Sequence, residues 1–116
     1  MTHAFEIESA GSVVIVRLPG PEATYEQMLE INAELADRLR YEGAKRFIFD
    51  LGEVELFASA CIGALVELLR EVEPSRGRIV LAGCTSNVQY LFRITRLEDI
   101  FCCYDDLDDA RTAMAA

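Results

Sequence analysis

The stretch FIFDLGEVELFASACIGALVELL, from Phe47 to Leu69, predicts a buried strand, a loop and a helix that packs on the strand. Residues 45–51 are rich in strand-forming side chains without clean alternation, which is typical of a strand covered on both faces. From Ser59 onward, apolar residues recur at the spacing of one helix face. They are Ile62, Leu65, Val66, Leu69 and Val72. This succession indicates an α/β fold.

The residues before this stretch predict a hairpin and a surface helix. Two short apolar runs, residues 4–8 and 12–18, are separated by an Ala-Gly pair and predict the hairpin. The helix is expected to begin at Thr24, because Gln27 stands at capping-box spacing from it, and to end at Gly43. Its apolar stripe consists of Met28, Ile31, Leu35 and Leu39.

The residues after the stretch predict two more strands and two more helices. Residues 78–82 form a second buried strand, and Ser86 with Gln89 gives a capping-box signal for a short helix. Residues 100–104 predict the last strand, and residues 105–113 the last helix, whose acidic first turn suits the helix dipole.

The predicted order is therefore β-β-α-β-α-β-α-β-α. Strands separated by helices imply parallel neighbours joined by right-handed crossovers, and the opening hairpin adds an antiparallel edge. We expect a single α/β domain over residues 1–116, with a mixed, mostly parallel sheet and helices packed against it.

Composition and charge limit the classes of partner. The chain has 116 residues, 52% of them apolar, and a formal net charge of −9. This sign argues against nucleic acid and against an anionic membrane surface. The apolar runs fall short of the ~20 residues that a membrane span needs, and Glu6 and Glu8 interrupt any signal-peptide pattern. We expect a cytoplasmic protein with no membrane insertion.

The cysteines and the one histidine do not form a metal-binding pattern. Cys61, Cys84, Cys102 and Cys103 lack C-x-x-C spacing, and His3 stands near the terminus. Cys102 and Cys103 are neighbours in a predicted strand, so their side chains should point to opposite faces. We expect reduced, mostly buried thiols, no metal and no cofactor.

Enzyme signatures are also missing from the sequence. It contains no P-loop, no G-x-G-x-x-G after a strand and no G-x-S-x-G elbow, and most carboxylates fall on solvated helix faces. Asp50 stands at the carboxyl end of a buried strand, where α/β sheets place ligand sites. Two interpretations of this residue remain: its carboxylate accepts a hydrogen bond within a turn, or it takes part in binding.

Ser59 stands between an apolar loop and the second predicted helix. Its position predicts an N-cap whose hydroxyl lies at the positive end of the helix dipole. A second interpretation is that the hydroxyl is exposed and accepts a phosphate, which the free N–H groups of the helix start would tolerate.

A family resemblance bears on these alternatives. Residues 47–69 resemble the central segment of STAS domains, the anti-sigma factor antagonists, in which a strand ending in D-L leads through a turn to D-S-S/T-G-L-G at a helix start. Residues 78–101 resemble the next strand, the short helix and the L-T-G-L-x-x-x-F segment of that family. The resemblance implies a STAS-type fold over nearly the whole chain and regulation by binding rather than catalysis.

The resemblance also implies a partner and a switch. The partner would be an anti-sigma factor that is a serine kinase of the histidine-kinase-like ATPase type, and Ser59 matches the serine that such a kinase phosphorylates. A weak homodimer is a further expectation. The residues expected to bind the partner are Asp50, Phe57, Ala58, Ser59, Ala60, Cys61 and Ile62.

Three positions depart from the family pattern. Ala58 replaces the Asp before the serine, Ala60 the following Ser or Thr, and Cys61 the Gly after that. These departures favour a second hypothesis, a constitutive STAS scaffold or subunit of a stress-signalling or transport complex without a serine switch. At a helix start, Cys61 would have a lowered pKa if it were partly exposed, whereas a small buried cysteine is the alternative.

Overall fold

The computed structural model describes residues 5–115. The strands are β1 (Glu6–Ala10), β2 (Val13–Arg17), β3 (Glu22–Ala23), β4 (Arg46–Asp50), β5 (Leu56–Phe57), β6 (Arg78–Ala82) and β7 (Cys103–Tyr104). The helices are α1 (Tyr25–Glu42), α2 (Ser59–Val72), α3 (Ser86–Ile94) and α4 (Leu107–Met114), and a one-turn 3₁₀ helix at Glu73–Ser75 follows α2.

The main sheet has the strand order β1-β2-β4-β6-β7. β1 pairs antiparallel with β2, and the other neighbours are parallel. Side chains of β4 alternate between two apolar clusters: Phe47 and Phe49 face the larger cluster with α1, α2 and α3, and Ile48 faces the smaller one with α4. The predicted α/β architecture with an antiparallel edge is confirmed, as is the covering of β4 on both faces.

The structure also contains a second, two-stranded sheet that the sequence analysis missed. β3 pairs with β5 in parallel, with Glu22 opposite Leu56 and Ala23 opposite Phe57. Strands of two residues are too short to show any hydrophobic period, so the pattern along the chain held no signal for them.

The first predicted helix is confirmed at both ends. Thr24 is the N-cap, and its side chain and that of Gln27 form the reciprocal bonds of a capping box. Gly43 ends the helix with φ 71°, a left-handed conformation that glycine adopts without a steric penalty.

The first strand is Glu6–Ala10 rather than residues 4–8, and three boundaries later in the chain also differ from the predictions. The N-cap of α3 is Thr85 rather than Ser86, because the Thr85 hydroxyl accepts the backbone N–H of Val88. The last strand is shorter than residues 100–104, because the N–H groups of residues 100 and 101 bond to the carbonyl of Leu97 in a turn. α4 begins at Leu107, after its N-cap Asp106.

The four cysteines divide into two pairs. All are free thiols, and Cys61 and Cys84 are buried whereas Cys102 and Cys103 are exposed. The expectation of mostly buried thiols is therefore wrong for the second pair.

His3 lies outside the described residues. Within residues 5–115 no three His, Cys, Asp or Glu side chains are grouped to hold a metal ion, and no helix has the length and apolarity to cross a membrane.

Candidate functional site

The start of α2 carries an exposed serine without a capping side chain. Ser59 is the first helical residue and Ala58 is the N-cap, with an extended backbone at φ −64° and ψ 156°. The Ala58 carbonyl accepts the N–H groups of Cys61 (2.8 Å) and Ile62 (3.2 Å), which makes Ala58 the N-cap and Ser59 the first helical residue. The prediction that Ser59 itself is the N-cap is therefore wrong. Ala58, Ser59 and Ala60 are all exposed.

This helix start offers a positive end, and the carboxylates that act on its first turn, Glu22 and Glu26, belong to β3 and α1. The first N–H groups of an α-helix have no partner within the helix, and the methyl side chain of Ala58 cannot accept a hydrogen bond. The first turn of α2 contains no acidic residue, and residues 56–66 are uncharged. An anion attached to Ser59 would thus meet a favourable dipole and no local carboxylate on its own helix turn.

The small sheet holds this helix start against the body of the domain. The carbonyl of Pro21 accepts the N–H groups of Glu55 (2.7 Å) and Leu56 (3.0 Å) at the start of β5. The thiol of Cys61 donates to the carbonyl of Ala23 in β3 over 3.4 Å. Gly20 lies directly against the carbonyl of Glu53, so close that a β-carbon would overlap it. Backbone contacts therefore position the loop that presents Ser59.

Three residues expected to bind the partner lie on the inner side of this segment. Phe57, Cys61 and Ile62 are buried, and the ring of Phe57 lies 6.0 Å from that of Phe92, centroid to centroid. Burial raises the pKa of the Cys61 thiol, so the interpretation of Cys61 as a partly exposed thiol with a lowered pKa is wrong. These side chains can support the exposed residues from beneath, and their part in partner binding stays a prediction.

Asp50 is engaged at the carboxyl edge of the sheet. Its Oδ1 accepts the N–H of Gly52 (3.1 Å), as in an Asx turn, and its Oδ2 accepts the Nε of Arg17 from β2 (3.2 Å). The bond to Asp50 raises the pKa of the Arg17 guanidinium. Turn chemistry, one of the two interpretations of this residue, is present, and partner contact through Asp50 stays a prediction.

The loop before Ser59 is tied to the start of α3. The hydroxyl of Thr85 donates to the carbonyl of Val54 (2.9 Å), and the side-chain amide of Asn87 donates to Glu55 (3.3 Å). These contacts join two regions that the sequence analysis treated separately. Thr85 went unrecognised because Ser86, which stands next to it, gave the stronger capping-box pattern.

Exposed apolar residues accompany the serine. Leu56, directly before the buried Phe57, is 59% exposed. On α2 itself, Ala60 and Gly63 are exposed, so the exposed residues next to Ser59 on this helix are small and uncharged. We call Leu56, Ala58, Ser59, Ala60 and Gly63 the serine surface. Leu56 and Gly63 give no signal in the sequence, since neither breaks the apolar pattern of its segment.

Comparison with known proteins identifies the family of this chain. The model of the STAS domain matches residues 4–110. A Thermotoga maritima protein named "Putative anti-sigma factor antagonist" is 24% identical over 97 residues, which cover 84% of this chain and 86% of that protein.

Two solved structures share the fold. The crystal structure of a Thermotoga maritima protein that bears the same description superposes with a TM-score of 0.83 at 23% identity, covering 98% of this chain and 97% of the other. The phosphorylated form of SpoIIAA, a cell fate determinant of Bacillus, superposes with a TM-score of 0.75 at 21% identity, covering 96% and 99%. The family match over most of the chain and the shared fold agree, and the chain belongs to the STAS domain family.

Proposed function

We propose that this chain is an anti-sigma factor antagonist that acts in the cytoplasm and is switched by phosphorylation of Ser59. Its partner is an anti-sigma factor that is also a serine kinase of the histidine-kinase-like ATPase type. The observation that carries the proposal is an exposed serine at the first position of an uncapped helix, in a chain of the STAS family. The phosphorylated SpoIIAA structure supports it, since a protein of the same fold exists in that form.

The unmodified serine surface suits docking. Its residues are small or apolar and carry no charge, so a partner can approach the backbone closely without desolvating a charged side chain of the serine surface itself. Leu56, three residues before Ser59, supplies an exposed apolar side chain. The domain acts in this proposal as a ligand and as a kinase substrate, and not as a catalyst.

Phosphorylation would change the surface sharply. A phosphoserine adds about −1.5 to −2 charges at neutral pH. The N–H groups at the α2 start favour that dianion within the domain, while a partner surface shaped for uncharged residues would have to desolvate it. We therefore expect the modified domain to fold as before and to release its partner.

The alternative of a constitutive scaffold rests on the two alanines. Ala58 and Ala60 flank Ser59 and offer no side-chain oxygen to orient its hydroxyl or a kinase loop. In a scaffold the same surface binds its partner without modification. The two functions differ in whether the partner transfers phosphate to Ser59.

The test first captures the partner and then determines which residue of the chain it phosphorylates. The full chain, immobilised, is used to retain proteins from cells that express it, and a retained ATPase is identified by mass spectrometry. That ATPase is purified and incubated with ATP and the chain. We expect phosphate on Ser59 and none on Ser59→Ala.

Ser86 provides a matched control for this experiment. It is also an exposed serine at the first position of a helix, but Thr85 caps that helix. The variant Ser86→Ala should be phosphorylated like the parent. Stable binding of the ATPase with no phosphate on Ser59 would favour the scaffold over the switch.

A further inference from the structure

Two cysteines that are not part of the serine surface line the same cavity. The cavity has a volume of about 210 Å³ and lies between the end of the main sheet and α3. Cys84, two residues after β6, and Cys103, in β7, both line it, together with Phe92 and Phe101. Cys84 is buried and Cys103 is exposed, so a small solute can reach the pair from the side of Cys103.

The strand register explains why these thiols meet. Leu81 of β6 stands opposite Cys103 of β7, and both side chains line the same cavity. Beyond the strand, the N–H of Gly83 donates to the carbonyl of Tyr104 (2.9 Å), and Gly83 turns the chain with φ 67°. Cys84 thereby joins the same apolar cluster as Leu81, on the side of the sheet that Cys103 faces.

The two sulfurs differ in acidity. A hydrogen bond from the Cys84 thiol, assisted by the backbone N–H of Cys84, lowers the pKa of Cys103 to about 7. The same bond and burial raise the pKa of Cys84. The charged groups that face the pair are Arg93 of α3, Glu98 of the following loop, Asp105 after β7 and Asp50 of β4. One sulfur is thus a nucleophilic thiolate near neutral pH, and its neighbour keeps its proton.

We propose that Cys84 and Cys103 form a peroxide-sensitive dithiol that closes into an intramolecular disulfide. The Cys103 thiolate attacks one oxygen of hydrogen peroxide, the O–O bond breaks, and a sulfenic acid forms with release of water after proton uptake. The Cys84 thiol then attacks the sulfenic sulfur, the S–O bond breaks, and a second water leaves. The two thiols are oxidised, one peroxide is reduced to two waters, and a thiol reductant reverses the step by exchange.

The position of this dithiol gives the disulfide a structural consequence. It covalently joins β7 to the turn that precedes α3. Thr85, the residue after Cys84, hydrogen-bonds to Val54 in the loop that leads to Ser59. The dithiol is nevertheless separate from the serine surface, so its oxidation does not depend on the phosphorylation proposal.

The test uses the reduced full chain and hydrogen peroxide at stoichiometric and higher ratios, followed by alkylation of remaining thiols. Intact mass of the chain before alkylation should show the loss of two hydrogen atoms in a monomer, and reductant added at that stage should restore the original mass. Trypsin should yield residues 79–93 joined to residues 97–111. The linked pair should persist in Cys102→Ser and be lost in both Cys84→Ser and Cys103→Ser.

The control variant Cys102→Ser is needed because Cys102 and Cys103 lie on one tryptic peptide. Cys103 is exposed, so Cys103→Ser should fold, and circular dichroism checks this for each variant. Loss of the linked pair in Cys102→Ser, its persistence in Cys103→Ser, or oxidation that stops at sulfinic acid on Cys103 would overturn the proposal. So would a disulfide found only between two copies of the chain.

Discussion

The hydroxyl of Thr85 hydrogen-bonds to the carbonyl of Val54 (2.9 Å) while it caps α3 by accepting the N–H of Val88 (3.4 Å). One side chain thereby stabilises a helix start and holds the loop that leads into the serine surface. Because the donor and the acceptor functions belong to the same oxygen, a single substitution removes both.

Thr85→Val keeps the shape of the side chain and loses the hydroxyl. We expect the free energy of unfolding to fall by about 1–3 kcal/mol, since a cap and a partly buried hydrogen bond are both lost. Thr85→Ser keeps the hydroxyl and should retain most of the stability. Urea denaturation followed by circular dichroism measures the difference, and equal losses in the two variants would show that the hydroxyl is unimportant.

Gly20 and Gly63 should respond oppositely to alanine. A β-carbon at Gly20 would overlap the backbone carbonyl of Glu53, whereas one at Gly63 meets nothing within 4 Å. We expect Gly20→Ala to lower the free energy of unfolding by about 1–3 kcal/mol. Gly63→Ala, in an exposed helix position, should raise it by about 0.5–1 kcal/mol. Thermal melts of the two variants test this pair, and a destabilised Gly63→Ala with an unaffected Gly20→Ala would contradict the packing described.

A capping side chain at the start of α2 should stabilise the domain. Ala58 already has the backbone conformation of an N-cap, so Ala58→Asn adds a side-chain acceptor without a backbone change. We expect a gain of about 1 kcal/mol in the free energy of unfolding. Ala60→Asn is the matched control, because it lies inside the helix and should give no gain. A gain in Ala60→Asn equal to that in Ala58→Asn would rule out capping as the cause.

The reactivity of Cys103 should depend on pH in a defined direction. In Cys102→Ser, where Cys103 is the exposed thiol, the rate of alkylation by iodoacetamide should be half-maximal near its pKa of about 7. Below that pH the thiol is protonated and the rate should fall about tenfold per pH unit, whereas above it the rate should level off. Adding Cys84→Ala removes the donor thiol, so the midpoint should move upward. An unchanged midpoint would show that Cys84 does not set the acidity of Cys103.

The long helices and strands could be predicted because the faces they bury produce recognisable patterns of apolar residues in the sequence. Met28, Ile31 and Leu35 mark the inner face of α1, and all three are buried. β4 lies between two apolar clusters, which explains its continuous apolar run. β3 and β5 are set instead by backbone pairing between residues far apart in sequence, and two-residue strands leave no period to recognise.

The position of Ser59 at a helix start could be predicted from the sequence, but the contacts around it could not. The change from apolar loop to helical spacing predicts Ser59 at the helix start, yet the N-cap is Ala58, whose carbonyl rather than a side-chain preference sets that start. The burial of Cys61 depends on β3, an element the sequence did not reveal. The pairing of Cys84 with Cys103 needs the β6–β7 register, which residue spacing alone does not specify.

The central claim, that phosphate on Ser59 releases the partner, is tested most directly by the dissociation constant of the complex. The chain phosphorylated at Ser59, the unmodified chain and Ser86→Asp are each titrated against the captured ATPase by calorimetry, without ATP. We predict that phosphate weakens binding by about tenfold or more, about 1.4 kcal/mol, and that Ser86→Asp binds like the unmodified chain. Equal affinity of the phosphorylated and unmodified chains would contradict the switch.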